Sequence, residues 1–223
     1  MIQLVAFDVA GTTVQDSGLV LRAFEEAFAK AVPEQWAERR DELVQYAIDT
    51  MGQSKIEVFT AMLGDVALAE VANVAFEAAY YNLVLTEGVV EIPGARTVIE
   101  ELKRRGIRTA LTTGFSRMTL DAILKSLGWE NLVDVTVVPS EAGAGRPSPV
   151  MLQKAASMVG VTDPMDVVIL GDTISDMEAG VAFGAGHRIG VLSGTHKREQ
   201  LASAGATEVL NSVSDLQEVL FDN

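Results

Sequence analysis

From Pro93 and Gly94 onward the chain alternates helix-forming with strand-forming segments, and that alternation leaves few folds open to it. A helix over 95–105 stops at Gly106, a strand over 107–112 follows, and Gly114 and Ser116 open a helix that runs to Leu127. The next strand is expected over 133–138, then a Gly/Pro loop over 142–149 and a helix to Met158. A strand over 167–170, a helix over 175–183 and a strand over 188–192 continue the pattern, and a weaker strand over 207–210 with a closing helix completes it. Strands and helices in strict turn build a parallel sheet covered on both faces. The apolar run 2–7 adds one more buried strand, which ends at Asp8 and is broken by Gly11.

Between that first strand and Pro93 the texture changes. Ala, Leu and Val recur at helical spacing over 17–87 and no strand pattern interrupts them. The last long helix, over 66–85, places Val71, Val74, Ala75, Ala78, Tyr81 and Leu85 at helical intervals, a set read as packing. The expected architecture is therefore α/β: a Rossmann-like parallel sheet core from residues 1–15 and 92–223, with an all-helical domain, 16–91, inserted in it.

Charge and composition exclude several functions. The chain has 31 acidic against 17 basic residues, a formal net charge of −14, which repels nucleic acid and anionic lipid. It holds no cysteine, so disulfides, thiolate nucleophiles and thiolate-bound metals are absent, and only His187 and His196 remain as imidazoles, each too isolated to be a ligand. Acid–base chemistry must fall to carboxylates. The segment MIQLVAFDVAG lacks a basic leader region, and no stretch approaches the roughly 18 uninterrupted apolar residues of a membrane span. The expectation is a soluble cytoplasmic protein, with its oligomeric state, a homodimer included, left open.

In a parallel α/β sheet ligands bind beyond the C-terminal strand edges. Asp8 follows the first strand, Thr112 and Thr113 the next core strand, Arg146 lies in the loop after the third, and Asp172 with Asp176 follows the fourth. Each alone has a plain structural role as a cap or strand end. Together they supply a carboxylate nucleophile, hydroxyl donors, a guanidinium and two further carboxylates, the set that phosphoryl transfer with a divalent cation requires.

Four strings carry a resemblance: DVAGTT (8–13), TTG (112–114), GRPSP (145–149) and GDTISDMEAG (171–180). They resemble the motifs of the haloacid dehalogenase superfamily, and most closely its phosphonoacetaldehyde hydrolase (phosphonatase) branch, over nearly the whole chain. The resemblance makes the helical insertion a cap domain and gives each motif residue a role. Asp8 would attack phosphorus to form an aspartyl-phosphate. Thr113, or its neighbour Thr112, would bond a phosphoryl oxygen together with Gly114, and Gly11, Thr12 and Thr13 would turn amides and a hydroxyl to the same group. Arg146 would bridge the nucleophile and a phosphoryl oxygen. Asp8, the Ala10 carbonyl, Asp172 and Asp176 would hold Mg²⁺.

Ala10 is the informative departure from the wider superfamily, which places a leaving-group acid there. The phosphonatase branch is similar to this chain in having alanine, because a cap lysine condenses with an aldehyde substrate and the imine activates the carbon leaving group. Lys55 stands in MGQSKIEVF (51–59), similar to that branch's cap motif beginning at Met51. Lys55 either forms the imine or binds an anionic substrate by charge. Val9, Val58 and Phe115 replace a tryptophan, a histidine and a tyrosine of the branch. The implied reaction is hydrolysis of a small phosphonate such as phosphonoacetaldehyde. The alternatives are a phosphomonoesterase on a small phosphorylated metabolite and a catalytically silent binding protein.

Overall fold

In the computed structural model, which describes residues 1–15 and 17–221, the strand β1 (Leu4–Phe7) lies at the centre of the molecule, each of its residues buried. Four helices follow it: α1 (Leu19–Ala31), α2 (Pro33–Asp49), α3 (Lys55–Leu63) and α4 (Val66–Glu87). The rest alternates as the sequence implies: α5 (Ala95–Arg104), β2 (Arg108–Thr112), α6 (Arg117–Leu127), β3 (Val135–Val137), α7 (Pro139–Ala142) and α8 (Val150–Val159). Then come β4 (Val167–Gly171), α9 (Ile174–Phe183), β5 (His187–Val191), α10 (Arg198–Ser203), β6 (Glu208–Leu210) and α11 (Leu216–Phe221). The strand expected over 133–138 is shorter, and the short α7 was not foreseen, because Pro139 ends strand pairing and starts a helical turn.

All six strands are parallel, in the order β3-β2-β1-β4-β5-β6. The order reverses direction at β1, the point where such sheets open a crevice. Register then sets the site. Phe7 pairs with Leu111 on one side and Leu170 on the other, so Asp8 emerges one residue past the pairing, level with Thr112 and Gly171.

Two apolar clusters sandwich the sheet. The smaller packs Leu4 and Ala6 against Met151, Leu152 and Ala155 of α8. The larger runs from Val5 and Phe7 through α5 and α6 into the four inserted helices without interruption. Among those helices the rings of Phe24, Phe59 and Phe76 meet, Phe24 lying 5.1 Å from Phe59 and 4.8 Å from Phe76 between centroids. Each such buried ring contributes about 1.5–3 kcal/mol through burial.

One sequence expectation is corrected here. The inward face of α4 is Ala69, Ala72, Ala75, Phe76, Ala79, Tyr80, Leu83 and Val84; of the expected set Ala75 is buried and Tyr81 half-buried, whereas Ala78 is exposed and Val71, Val74 and Leu85 are 55%, 68% and 61% exposed. Helical periodicity identifies stripes, but α4 is apolar almost all round, so the sequence could not say which stripe faces inward. The expected start of the insertion falls on Asp16, outside the described residues. No described helix is long and apolar enough to cross a membrane.

Candidate active site

The carboxylate of Asp8, at the C-terminal end of β1, is 5% exposed. Arg146 donates from Nη2 to its Oδ1 at 2.6 Å and sets Nη1 against Asp176 Oδ1. The guanidinium is itself 3% exposed, and its Nε is buried with no hydrogen-bond partner. A buried donor left unsatisfied costs about 1–3 kcal/mol, so an incoming oxygen acceptor would be favoured there.

Asp176 sits in the first turn of α9, where Thr173 and Asp176 form a capping box: the Thr173 amide donates to Asp176 Oδ2 at 3.1 Å and the Asp176 amide to Thr173 Oγ1 at 3.2 Å. The Thr173 hydroxyl also donates to Asp176 Oδ2, at 2.5 Å. One carboxylate oxygen thus fixes the helix start and the other faces Arg146. Asp172 is held just as tightly, accepting from Thr12 Oγ1 at 3.0 Å and from the Thr195 amide at 2.8 Å. Gly11, at φ 87°, passes so close that a Cβ there would lie 2.5 Å from Asp172 Oδ2, which explains a glycine at this turn.

Asp8, Asp172 and Asp176 each offer an oxygen within 4.8 Å of the others. Burial first, and then the Asp8 charge, push the Asp172 carboxyl up to about 7. Three buried carboxylates facing one guanidinium leave a surplus of negative charge, and an all-oxygen donor set of that kind fits a hard cation. These residues could hold a metal ion.

A cavity of about 30 Å³ lies over Asp8, lined by Ala10, Met51, Lys55, Thr113, Gly114, Arg146 and others. That is roughly the share of liquid volume of one water molecule. Lys55, at the first position of α3, is 4% exposed, with Nζ 5.3 Å from the Phe24 ring centroid and 5.9 Å from that of Phe76. The loop carrying Met51 presses on the sheet edge: a Cβ on Gly114 would stand 2.6 Å from the Gln53 carbonyl oxygen. Val58 and Phe115 are buried, and Phe115 packs on Tyr80 with 4.6 Å between centroids.

The structure brings Asp8, Ala10, Met51, Lys55, Thr113, Gly114 and Arg146 to one cavity, with Asp172 and Asp176 beside it. It does not bring all the expected donors. Thr112 is buried and does not line the cavity. The amide of Gly11 donates to Val14, and those of Thr12 and Thr13 to Val9; the Thr13 hydroxyl donates to the Asp8 carbonyl at 2.9 Å and that of Thr12 to Asp172. These three residues brace the loop under Asp8.

Sequence reasoning missed Thr173, Thr195 and Glu77. Thr173 was legible as the start of a Thr-x-x-Asp capping box. Thr195 reaches Asp172 only through the tertiary fold. Glu77, the lone acid in the buried face of α4, accepts from the Ser116 amide at 3.3 Å, from Thr119 Oγ1 at 2.5 Å and from Ser116 Oγ, joining α4 to the N-terminus of α6. His196 has a structural place: its Nδ1 accepts from the Ile174 amide at the start of α9.

A six-stranded parallel sheet with a buried acidic cluster at the reversal of strand order defines an α/β protein of the class whose ligand crevices open at the C-terminal strand edge. The haloacid dehalogenase-like hydrolase family model matches residues 2–184, and the chain belongs to that family. It is 30% identical to phosphonoacetaldehyde hydrolase of Bacteroides fragilis over 60% of this chain; the match spans 52% of that protein. It is also 30% identical to Protein CbbY of Cereibacter sphaeroides, over 97% of this chain and 94% of that one. A hydrolase from Pseudomonas syringae shares the fold with a TM-score of 0.86 at 23% identity, covering 100% of this chain and 99% of that one.

Proposed function

We propose that the protein is a Mg²⁺-dependent hydrolase of a small phosphonate bearing an aldehyde, such as phosphonoacetaldehyde. The observation that carries this reading is Lys55 lining the same small cavity as Asp8 and Arg146. Residues 16–91 act as a cap over a core of 1–15 and 92–223, and the cavity is too small for substrate until the cap lifts.

Asp8, Asp172 and Asp176 hold the cation, which when bound screens the negative charge gathered at the transferring phosphoryl group. Lys55 condenses with the aldehyde, losing water to form an imine. Asp8 attacks phosphorus; the carbon–phosphorus bond breaks and its electron pair passes into the imine as an enamine. Arg146 holds Asp8 in line, and its orphaned Nε meets a phosphoryl oxygen with Thr113 beside it. Water then cleaves the aspartyl-phosphate to release phosphate, and protonation and hydrolysis of the enamine free the aldehyde and Lys55. Ala10 suits this route, since the departing carbon needs no neighbouring acid at the moment of cleavage.

A second reading is favoured by the similarity to Protein CbbY along nearly the whole chain: a phosphomonoesterase in which Lys55 binds substrate by charge. Incubation with phosphonoacetaldehyde, Mg²⁺ and borohydride separates the two. The phosphonatase reading expects phosphate release and a reduced adduct mapped to Lys55 by mass spectrometry. Phosphate release from esters alone, with no adduct, would replace it by the esterase reading.

A further inference from the structure

A second cavity, of about 230 Å³, shares Lys55, Gly114 and Phe115 with the cavity of about 30 Å³ over Asp8. Asp8 and Arg146 line only the smaller one, so Lys55 stands where the two meet. The remaining walls come from the first turn of α3, from Asn73 and Glu77 on α4, and from α7 with the loop that follows it. Asn73 and Glu77 are one helical turn apart and reach the cavity from the same face. The Glu77 oxygens are already engaged, accepting from the Ser116 amide and hydroxyl and from the Thr119 hydroxyl. Asn73 differs: its Oδ1 is buried and accepts no hydrogen bond among the described residues. An unmet buried acceptor is costly, so a donor brought by a ligand is favoured there. Charge narrows the choice further, since Lys55 is the sole cation among the described walls, against Glu57 and Glu77.

We infer that this second cavity is a subsite for a short hydroxyl-bearing arm of the substrate, carried on the reacting carbonyl carbon on the side away from phosphorus, with Asn73 Oδ1 accepting from the hydroxyl. The inference rests on the proposed roles of Asp8 and Lys55 and deepens them by naming a larger substrate class. Phosphonoacetaldehyde has only a hydrogen at that carbon and leaves the subsite empty. A hydroxymethyl group in its place makes the substrate a ketone, and the chemistry is otherwise the same. The Lys55 amine adds to the carbonyl and water leaves as the ketimine forms. Asp8 bonds to phosphorus while the carbon–phosphorus bond breaks, and its electron pair enters the enamine. Water releases phosphate from Asp8; protonation of the enamine carbon and hydrolysis free hydroxyacetone and Lys55. The arm is neutral, because an anion would meet Glu57 and Glu77 with no cation to spare, and an ammonium would meet Lys55.

Isosteric pairs test the subsite. With Mg²⁺ present, kcat/KM for 3-hydroxy-2-oxopropylphosphonate should exceed that for 2-oxobutylphosphonate, which has a methyl in place of the hydroxyl, by about tenfold or more, and the analogue with a carboxylate in place of the hydroxymethyl group should be the poorest of the three. Asn73→Leu should bring the ratio of the first two close to one, and Asn73→Asp, which keeps an acceptor, should preserve it. Ala144→Phe, filling the cavity from the opposite wall, should shift selectivity from the hydroxyketone towards phosphonoacetaldehyde. Borohydride capture of Lys55 by hydroxyacetone against 2-butanone reads the same preference without phosphoryl transfer. If no carbonyl compound marks Lys55 and only esters are hydrolysed, the phosphonatase reading fails by itself, and the subsite is then read on 2-hydroxyethyl phosphate against n-propyl phosphate, whose hydroxyl and methyl lie equally far from phosphorus. Equal rates within the pair that reacts, or a hydroxyl preference that survives Asn73→Leu, as for an arm lying in the cavity of about 550 Å³ beside Ala10 and Met51, would overturn the proposal.

Discussion

Arg146 binds Asp8 through Nη2 at 2.6 Å and faces Asp176 through Nη1, so one guanidinium ties the carboxylate after β1 to the first turn of α9. Removing it leaves buried carboxylates without their cation. Arg146→Ala is expected to lower stability by about 3–5 kcal/mol, read from urea unfolding without added metal, and to abolish phosphate release. A fully stable variant would show that the pair is not what holds the two elements together.

Asp8→Asn keeps the shape of the side chain while removing the carboxylate proposed as nucleophile. Turnover should fall by roughly a thousandfold or more. The fold should persist with little change in thermal midpoint, because the lost contact to Arg146 is offset by relief of the charge that raises Asp172. Single-turnover phosphate release measures the first expectation and differential scanning calorimetry the second.

Metal dependence follows from the acidic cluster. A chelator should silence the enzyme and Mg²⁺ restore it, and Mg²⁺ should raise the thermal midpoint of the free protein because it binds only the folded chain. Asp172→Ala should lose that thermal shift. An unchanged shift in the variant would place the cation elsewhere.

Lys55→Arg retains the charge but cannot form an imine. With an aldehyde phosphonate, phosphate release should disappear; with phosphate esters, the variant should lose affinity more than turnover. Ala10→Asp is the companion change, expected to impair imine-dependent cleavage and to raise ester hydrolysis by supplying a leaving-group acid. Initial rates on both substrate types decide it.

Glu77→Ala removes the anion at the N-terminus of α6 and the link from α4 to the loop that carries Thr113. A loss of about 2 kcal/mol is expected, measured by thermal unfolding, with a higher KM as the loop loosens.

Much of this protein is written locally. The run Leu4–Phe7 is apolar throughout and ends at Asp8, so it could only be a central strand that delivers a carboxylate to the rim, and Thr173 to Asp176 spell a helix start. Those readings need only near neighbours in the chain, which is why Asp8, Arg146, Asp172 and Asp176 could be named before any coordinates. Tertiary structure decided what local pattern cannot encode. The order β2-β1-β4 and the register of Phe7 with Leu111 and Leu170 set the three strand ends side by side. Packing of the inserted helices brought Lys55 over Asp8 and Glu77 onto α6. Packing also chose, on a helix apolar nearly all round, to bury Phe76 and Tyr80 and to leave Val71, Val74 and Leu85 in solvent, because only neighbours distant in sequence distinguish one apolar face from another.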